Sequence, residues 1–466
     1  MNSVNERSFT EFILLIKVSL SMRVRLLSVS LVAALVSSSA AYAANLETSN
    51  APHSLPTSKQ DMVFESDIDK ANARVDEYQN AIDYLKSQDN GDDQAKQDAN
   101  SQVSNKQAVS DLKYAKKYYQ EINGLPMFSF LGGPAYTPEQ GLLVALGGLY
   151  SFKTDRAQSA LQRSSLSAFL IGNYGDSEVG YGLSGHHELY WNNNDVQFKG
   201  NFNLGSQSKH YWGIGYDAAN DFEFGEVTKY SAIENNYKGN LIYRLTGNWF
   251  AGPAVKLNYY SPTSEPEAAF MDENFNTFKD KPFTWGLGAS LQYDSRDVAV
   301  NPWSGSLFRS EVLLYSEALG SQAEYQKLDM EYRTFHSVAE GRVIALLAHY
   351  QQAFGDVPYY DMPEIGGASS MRGYYQGQYR DKVTAEVTAE YRHTFRRDSG
   401  VLSNHGMTAW AGVGSVGNSM DDLTGHAIVS YGVGYRYELQ PRMNIRLDLG
   451  MGRHGSAFYF NFTEAF

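Results

Sequence analysis

Cysteine is absent from all 466 residues. The chain therefore has no disulfide, no thiol nucleophile and no Cys-based metal site. Long apolar runs are missing too. With a mean hydropathy of −0.42, the chain beyond its leader offers no helical membrane span. Basic residues are in deficit, and the net charge of −13 argues against nucleic acid as a partner. Neither G-x-S-x-G nor H-E-x-x-H occurs. The one cluster that resembles a metal set is His186-His187-Glu188. Neighbours in a strand point to opposite faces, so at most His186 and Glu188 could share a ligand, and the three read better as lumen or rim polar residues. No catalytic residue, metal or cofactor is expected, and an enzyme is the weakest class.

Aromatics and glycine, by contrast, are abundant: Tyr 33, Phe 24 and Gly 41. Residues 1–43 read as a signal peptide with its start at Met22. Arg23 and Arg25 form the basic region, Leu26 to Val36 the apolar core, and Ala41-Tyr42-Ala43 the cleavage site. An exported, cysteine-free chain rich in aromatics and glycine has the composition of an outer-membrane β-barrel.

Residues 44–123 read as a helical, partly disordered periplasmic segment. Phe64, Ile68, Ala71, Val75, Tyr78, Ile82 and Leu85 form a heptad seam, and Asp89-Asn90-Gly91-Asp92-Asp93 breaks it. Ala108, Leu112, Ala115, Tyr119 and Ile122 repeat the spacing. The two runs, 64–85 and 108–122, predict a helical hairpin or coiled coil that packs through self-association, a protein partner or docking at the barrel.

From Gly124 onward the period becomes two. Val383, Ala385, Val387, Ala389 and Tyr391 alternate with Thr384, Glu386, Thr388, Glu390 and Arg392. Trp285 to Tyr293, Val429 to Tyr437 and Met443 to Leu449 alternate likewise. A soluble sandwich alternates with its apolar face inside; many strands of one bias behind a signal peptide favour lipid outside and a polar lumen. The expected fold is all-β: a 16-stranded antiparallel transmembrane β-barrel over 124–466, preceded by the short α-helical segment. Met127 to Tyr136 is the doubtful strand, because Gly132, Gly133 and Pro134 remove side-chain packing and a ladder donor near the barrel seam. Long outer connections are expected at about 261–282 and at 362–381.

The second of these loops centres on Gly366-Gly367 and Met371-Arg372-Gly373-Tyr374. Its glycines permit positive φ and close approach, and a single arginine between Met and Gly is placed to carry a guanidinium inward. A buried guanidinium needs a carboxylate within reach.

Three features in chain order resemble the bacterial surface antigen barrel of the BamA/TamA family. They are Asp294-Ser295-Arg296-Asp297 with Pro302 and Gly305, the loop around Arg372, and a final strand ending in aromatics up to Phe466. The resemblance covers about 125–466. It implies that Arg372 reaches the lumen and pairs with an acid on the next strand, Glu390 or else Glu386. Where the family often has an acid on the following strand, Trp410-Ala411-Gly412-Val413-Gly414 has none. Phe458, Phe460, Phe462 and Phe466 read as one lipid-facing aromatic band, and the resemblance further implies that the outer-membrane assembly machinery reads this ending. Residues 44–123 carry no POTRA pattern. The implied function is translocation or membrane insertion of protein or lipid, for which the weak seam at Gly132, Gly133 and Pro134 is the candidate lateral opening. The alternatives are a passive or gated pore plugged by the Arg372 loop and lined by Arg436, Arg442 and Arg446, and a structural or lipid-homeostasis role mediated by the helical segment. The implied setting is the outer membrane of a Gram-negative-type envelope, among outer-membrane lipids.

Overall fold

The computed structural model describes residues 124–466 apart from 138–140, 159, 176–177, 222–226, 397–401 and 441. The expected leader (1–43) and the expected helical runs 64–85 and 108–122 lie outside the described residues.

Sixteen strands form one antiparallel sheet in which each strand pairs with the next one along the chain. Before the central loop they are β1 (Met127–Thr137), β2 (Gly141–Phe152), β3 (Ser164–Gly175), β4 (Glu178–Trp191), β5 (Val196–His210), β6 (Lys229–Thr246), β7 (Trp249–Pro262), β8 (Phe283–Asp294), β9 (Gly305–Tyr315), β10 (Tyr325–Ala339) and β11 (Arg342–Gly355). After it come β14 (Val383–Arg396), β15 (Leu402–Gly417), β16 (Ile428–Gln440), β17 (Met443–Gly452) and β18 (Gly455–Phe462). Two short strands inside the loop, β12 (Glu364–Ile365) and β13 (Tyr379–Arg380), pair only with each other. The segment Met127–Thr137, doubtful on its sequence, is a full strand, held by a continuous ladder to β2 from Met127↔Ser151 to Thr137↔Gly141.

Burial runs opposite to that of a soluble sandwich. On β14 Val387 and Tyr391 are exposed while Thr384, Glu386, Thr388, Glu390 and Arg392 are buried. On β16 Val429, Tyr431 and Val433 are each more than half exposed, and inward-facing Ser430 and Arg436 are not. An apolar outer face over buried polar residues is the pattern of a barrel in hydrocarbon. The ends of the sheet, β1 and β18, lie side by side, and no ladder joins them among the described residues.

The two ends of the barrel differ. At one end β6–β7, β10–β11 and β16–β17 turn within a few residues. At the other lie the long connections 211–228, 263–282 and 356–382. The first of these long connections was not singled out by its sequence. The long connections pack into an aromatic dome in which Tyr211, Phe275, Phe278, Tyr359 and Met362 are buried together. Trp212, Ile365, Met371, Tyr374 and Tyr379 form a second cluster beside it. At the short end Trp303, Phe335, Val343, Leu347, Leu402 and Phe466 make a third cluster.

Candidate functional site: an inward loop held by a charge ring

The connection 356–382 folds back into the barrel, and three sets of contacts fix it. The first is at its entry. Asp361, 2% exposed, takes an ion pair from Lys256 on β7 and another from Lys327 on β10 at 2.9 Å, and accepts from Tyr325 Oη at 2.7 Å. Burial alone would raise this carboxyl, but the two lysines outweigh it and hold Asp361 well below the usual carboxylate range. At the neck, Arg380 donates to Tyr359 O at 2.9 Å and to Gly377 O at 3.2 Å, and its guanidinium lies 5.2 Å from the Tyr211 ring centre.

The tip is tied to the last three strands. Tyr374 Oη donates to Val429 O at 2.8 Å and accepts from Arg453 N at 2.9 Å. Tyr459 on β18 donates to Tyr374 O at 2.9 Å and accepts from Gly373 N at 3.1 Å. Glycine is required on both sides of this contact. Gly373 has φ +121°, and a Cβ there would sit 2.6 Å from the backbone of Met451. A Cβ on Gly450 would meet the Arg372 carbonyl at the same distance.

Arg372 itself is 2% exposed. Its Nη2 pairs with Glu390 on β14, its Nη1 donates to Asp448 on β17 at 2.8 Å, and its guanidinium stacks 3.6 Å from the Trp410 ring centre on β15. Trp410 thus meets the cation from a strand segment that carries no acid, and Asp448, two strands further along, supplies a second carboxylate that sequence reasoning left among ordinary lumen polar residues. Glu386 lies elsewhere: its Oε1 is 3.4 Å from His349 Nδ1, and it makes no ion pair with Arg372.

The charges continue past Arg372 and close on themselves. Glu390 also pairs with Arg392 at 2.8 Å, Arg392 approaches Glu464 at 3.9 Å, Glu464 pairs with Arg436 at 2.7 Å, and Arg436 pairs with Asp448, which returns to Arg372. Arg446 adds a further contact to Asp448 at 3.1 Å and donates to Ala368 O in the loop at 2.8 Å. Every member is buried, so each charge depends on its neighbours rather than on water. Removing one partner of such a pair costs about 3–5 kcal/mol. Arg436 and Arg446, which the pore alternative sets along the lumen, are members of this network: Arg446 touches the loop at Ala368 O, and Arg436 reaches it through Asp448.

The other sequence-predicted residues fall in two places. At the short end of the barrel, Asp294 takes a two-pronged contact from Arg296, at 2.9 and 2.8 Å, and Arg296 donates to Ala299 O at 2.9 Å. Asp297 accepts from Val298 N and Trp303 N, and pairs with Arg442 at 3.4 Å, whose guanidinium lies 3.9 Å from the Trp303 ring centre. Arg442 therefore belongs to this turn and not to a pore lining. Gly305 has φ +93°, where a Cβ would fall 2.1 Å from Ser295 O, and buried Pro302 precedes Trp303. This set braces a turn. At the seam, a Cβ on Gly132 would meet Leu146 at 2.6 Å, and one on Gly133 would meet nothing within 4 Å. The Pro134 and Phe462 side chains lie outside the described part; their backbones pair with Val144 and Ile445.

Phe466 departs from the lipid-facing band expected of it. Phe458 is exposed at 41%, but Thr463 turns the chain with φ +65°, and Phe466 is 5% exposed within the short-end cluster. The His186-His187-Glu188 run also splits: His186 Nδ1 is 2.7 Å from Ser167 Oγ, His187 packs against Phe198 on the opposite face, and Glu188 accepts from Tyr190 Oη at 3.2 Å.

Comparison with known proteins places this architecture. The Omp85 superfamily domain matches residues 167–466. The chain belongs to the Omp85 superfamily. No curated protein sequence matches it. Among solved structures it is similar to BamA from Haemophilus ducreyi lacking POTRA domains 1–3, at 13% identity, TM-score 0.47, over 77% of this chain and 78% of that one. It is also similar to CdiB from Acinetobacter baumannii, at 13% identity, TM-score 0.44, over 72% and 59% of the two chains. For CdiB from Escherichia coli the values are 9% identity, TM-score 0.46, and 76% and 70%.

Proposed function

We propose that this Omp85 barrel resides in the outer membrane and works at its wall, admitting a polypeptide or lipid into or across the bilayer through the β1–β18 seam. The observation that carries this reading is the seam itself: β1 and β18 lie side by side, yet no ladder joins them among the described residues. Every other neighbouring pair in the sheet is joined by a ladder. A junction without a ladder is the cheapest place for such a wall to part, because fewer backbone bonds have to be surrendered there than between any other two neighbours. The passive-pore alternative finds less support, since the 356–382 loop and the aromatic dome occupy the lumen and its long end. Outer-membrane lipids and the assembly machinery that inserts the barrel are its expected partners.

The test exploits the lack of cysteine. A cysteine pair placed across β1 and β18 is the only disulfide the protein can form. Liposomes containing the oxidised protein should fail to promote insertion of an unfolded barrel substrate, and reduction should restore it. Equal activity in both states would contradict a working seam. Bilayer conductance should stay low in the intact protein while substrate is being inserted; a conductance that opens with the seam locked by the disulfide would favour the pore alternative.

A further inference from the structure

The segment that follows β18, Thr463–Phe466, enters a site built for it. Thr463 N donates to Asn444 O at 2.7 Å, and its positive φ turns the chain inward. Glu464 then meets Arg436 Nε at 2.7 Å and Asn444 Nδ2 at 2.6 Å. Arg392 Nη2 donates to Phe466 O at 2.7 Å, and the Arg392 guanidinium lies 5.5 Å from the ring centres of both Phe466 and Phe335. The Phe466 ring fills the pocket of Trp303, Phe335, Val343, Leu347 and Leu402. All three of Glu464, Ala465 and Phe466 are at least nine-tenths buried. Two arginines, an amide and an aromatic hole are thus arranged to receive a short peptide with an acid two residues before an aromatic.

We propose that this is an internal peptide-binding site whose occupant is the chain's own 463–466 segment, and that its occupancy holds the Arg372 loop in place. The linkage is the charge ring. Arg392 holds the segment with one side of its guanidinium and Glu390 with Nε; Glu390 in turn holds Arg372. Arg436 holds Glu464 with Nε and Asp448 with Nη1; Asp448 also holds Arg372. When the segment leaves, both arginines lose an acceptor and are freed to draw Glu390 and Asp448 away from Arg372. The segment also directly follows β18, one border of the seam, so the site ties that border to the loop. This inference does not rest on what passes the seam, and its readout is independent of transport.

The experiment uses the full-length protein with Ile365→Cys, which places a single buried thiol on the loop. The rate of maleimide labelling reports how often the loop leaves its seat. Glu464→Gln and Phe466→Ala should each raise that rate on the order of tenfold, equivalent to about 1.4 kcal/mol. Phe458→Ala, on the lipid face of the same strand, should leave it unchanged. If Phe466→Ala fails to fold, Phe466→Leu keeps an apolar filler and should give a smaller rise. Adding the peptide Asn-Phe-Thr-Glu-Ala-Phe to Glu464→Gln protein should slow labelling again, whereas the same peptide with Gln for Glu should not. Wild-type labelling rates in folded Glu464→Gln and Phe466→Leu proteins, or equal action of the two peptides, would overturn the proposal.

Discussion

The two walls that meet at the seam are built differently. On the β14–β18 side the lumen face carries Glu390, Arg392, Arg436, Arg446 and Asp448, all buried and paired. On the β1–β4 side the buried polar residues facing inward, among the described residues, are Ser151, Ser167 and Asn173, small and neutral. The late wall is joined to the loop by the charge ring, by Tyr374 and Tyr459, and by the segment after β18. The early wall contributes no member to that ring. A barrel whose two borders are anchored so unequally has a fixed jamb on one side of its seam.

The largest effect should come from the centre of the ring. Arg372→Ala takes from buried Glu390 and Asp448 the one partner they share and unties the loop tip, and should cost about 3–5 kcal/mol in denaturant unfolding, with loss of the heat-resistant gel form. Cutting the entry anchor should cost less. Asp361→Asn strands Lys256 and Lys327, which retain some access to water, and about 1–3 kcal/mol is expected. The same anchor sets a pH limit. The folded pKa of Asp361 is depressed, so its contribution is fully present above the unfolded value of about 3.9 and is lost only as pH falls through the folded value. Protease protection of the loop should therefore persist down to about pH 4.

On the early wall, Ser167→Ala removes the contact to His186 and should cost about 1 kcal/mol or less, which sharpens the contrast between the walls. The smallest effect belongs to His454 at the tip of the β17–β18 turn, which contacts Asn220 at 2.8 Å and Tyr379 at 3.2 Å. Burial, and then the nearby Arg453, lower its pKa. A lowered histidine favours folding in its neutral form, so its contribution is present above about pH 6.5 and fades as pH drops below that. A slightly lower protection factor at the turn at pH 5 than at pH 7.5, each taken against the intrinsic exchange rate at its own pH, would show it; His454→Asn should abolish the difference.

How much of this was readable follows from distance along the chain. Alternation is local, so strand number, the inward polar face and the long connection at 263–282 follow from neighbouring residues. The loop's glycines and its single arginine are consecutive, and Glu390 lies on the very next strand of the barrel. Asp448 is 76 residues from Arg372, on a strand whose alternation looks like every other, and only the curvature of the sheet brings it into reach. Asp361 is as obscure, since its lysines lie 105 and 34 residues earlier. The inward place of Glu464 has no local sign, because nothing nearby announces a left-handed turn at Thr463, a residue that seldom adopts one. The sequence pattern predicts Phe466 on the lipid face; one positive φ places it inside.

The claim on which the account turns is that the charges from Arg372 to Glu464 act as one unit. A double-mutant cycle of Arg372→Ala and Glu464→Gln, read by denaturant unfolding, measures it directly, because these two residues do not touch. Coupling of about 0.5–3 kcal/mol is expected if the ring is continuous. Free energies that simply add, within about 0.5 kcal/mol, would contradict it.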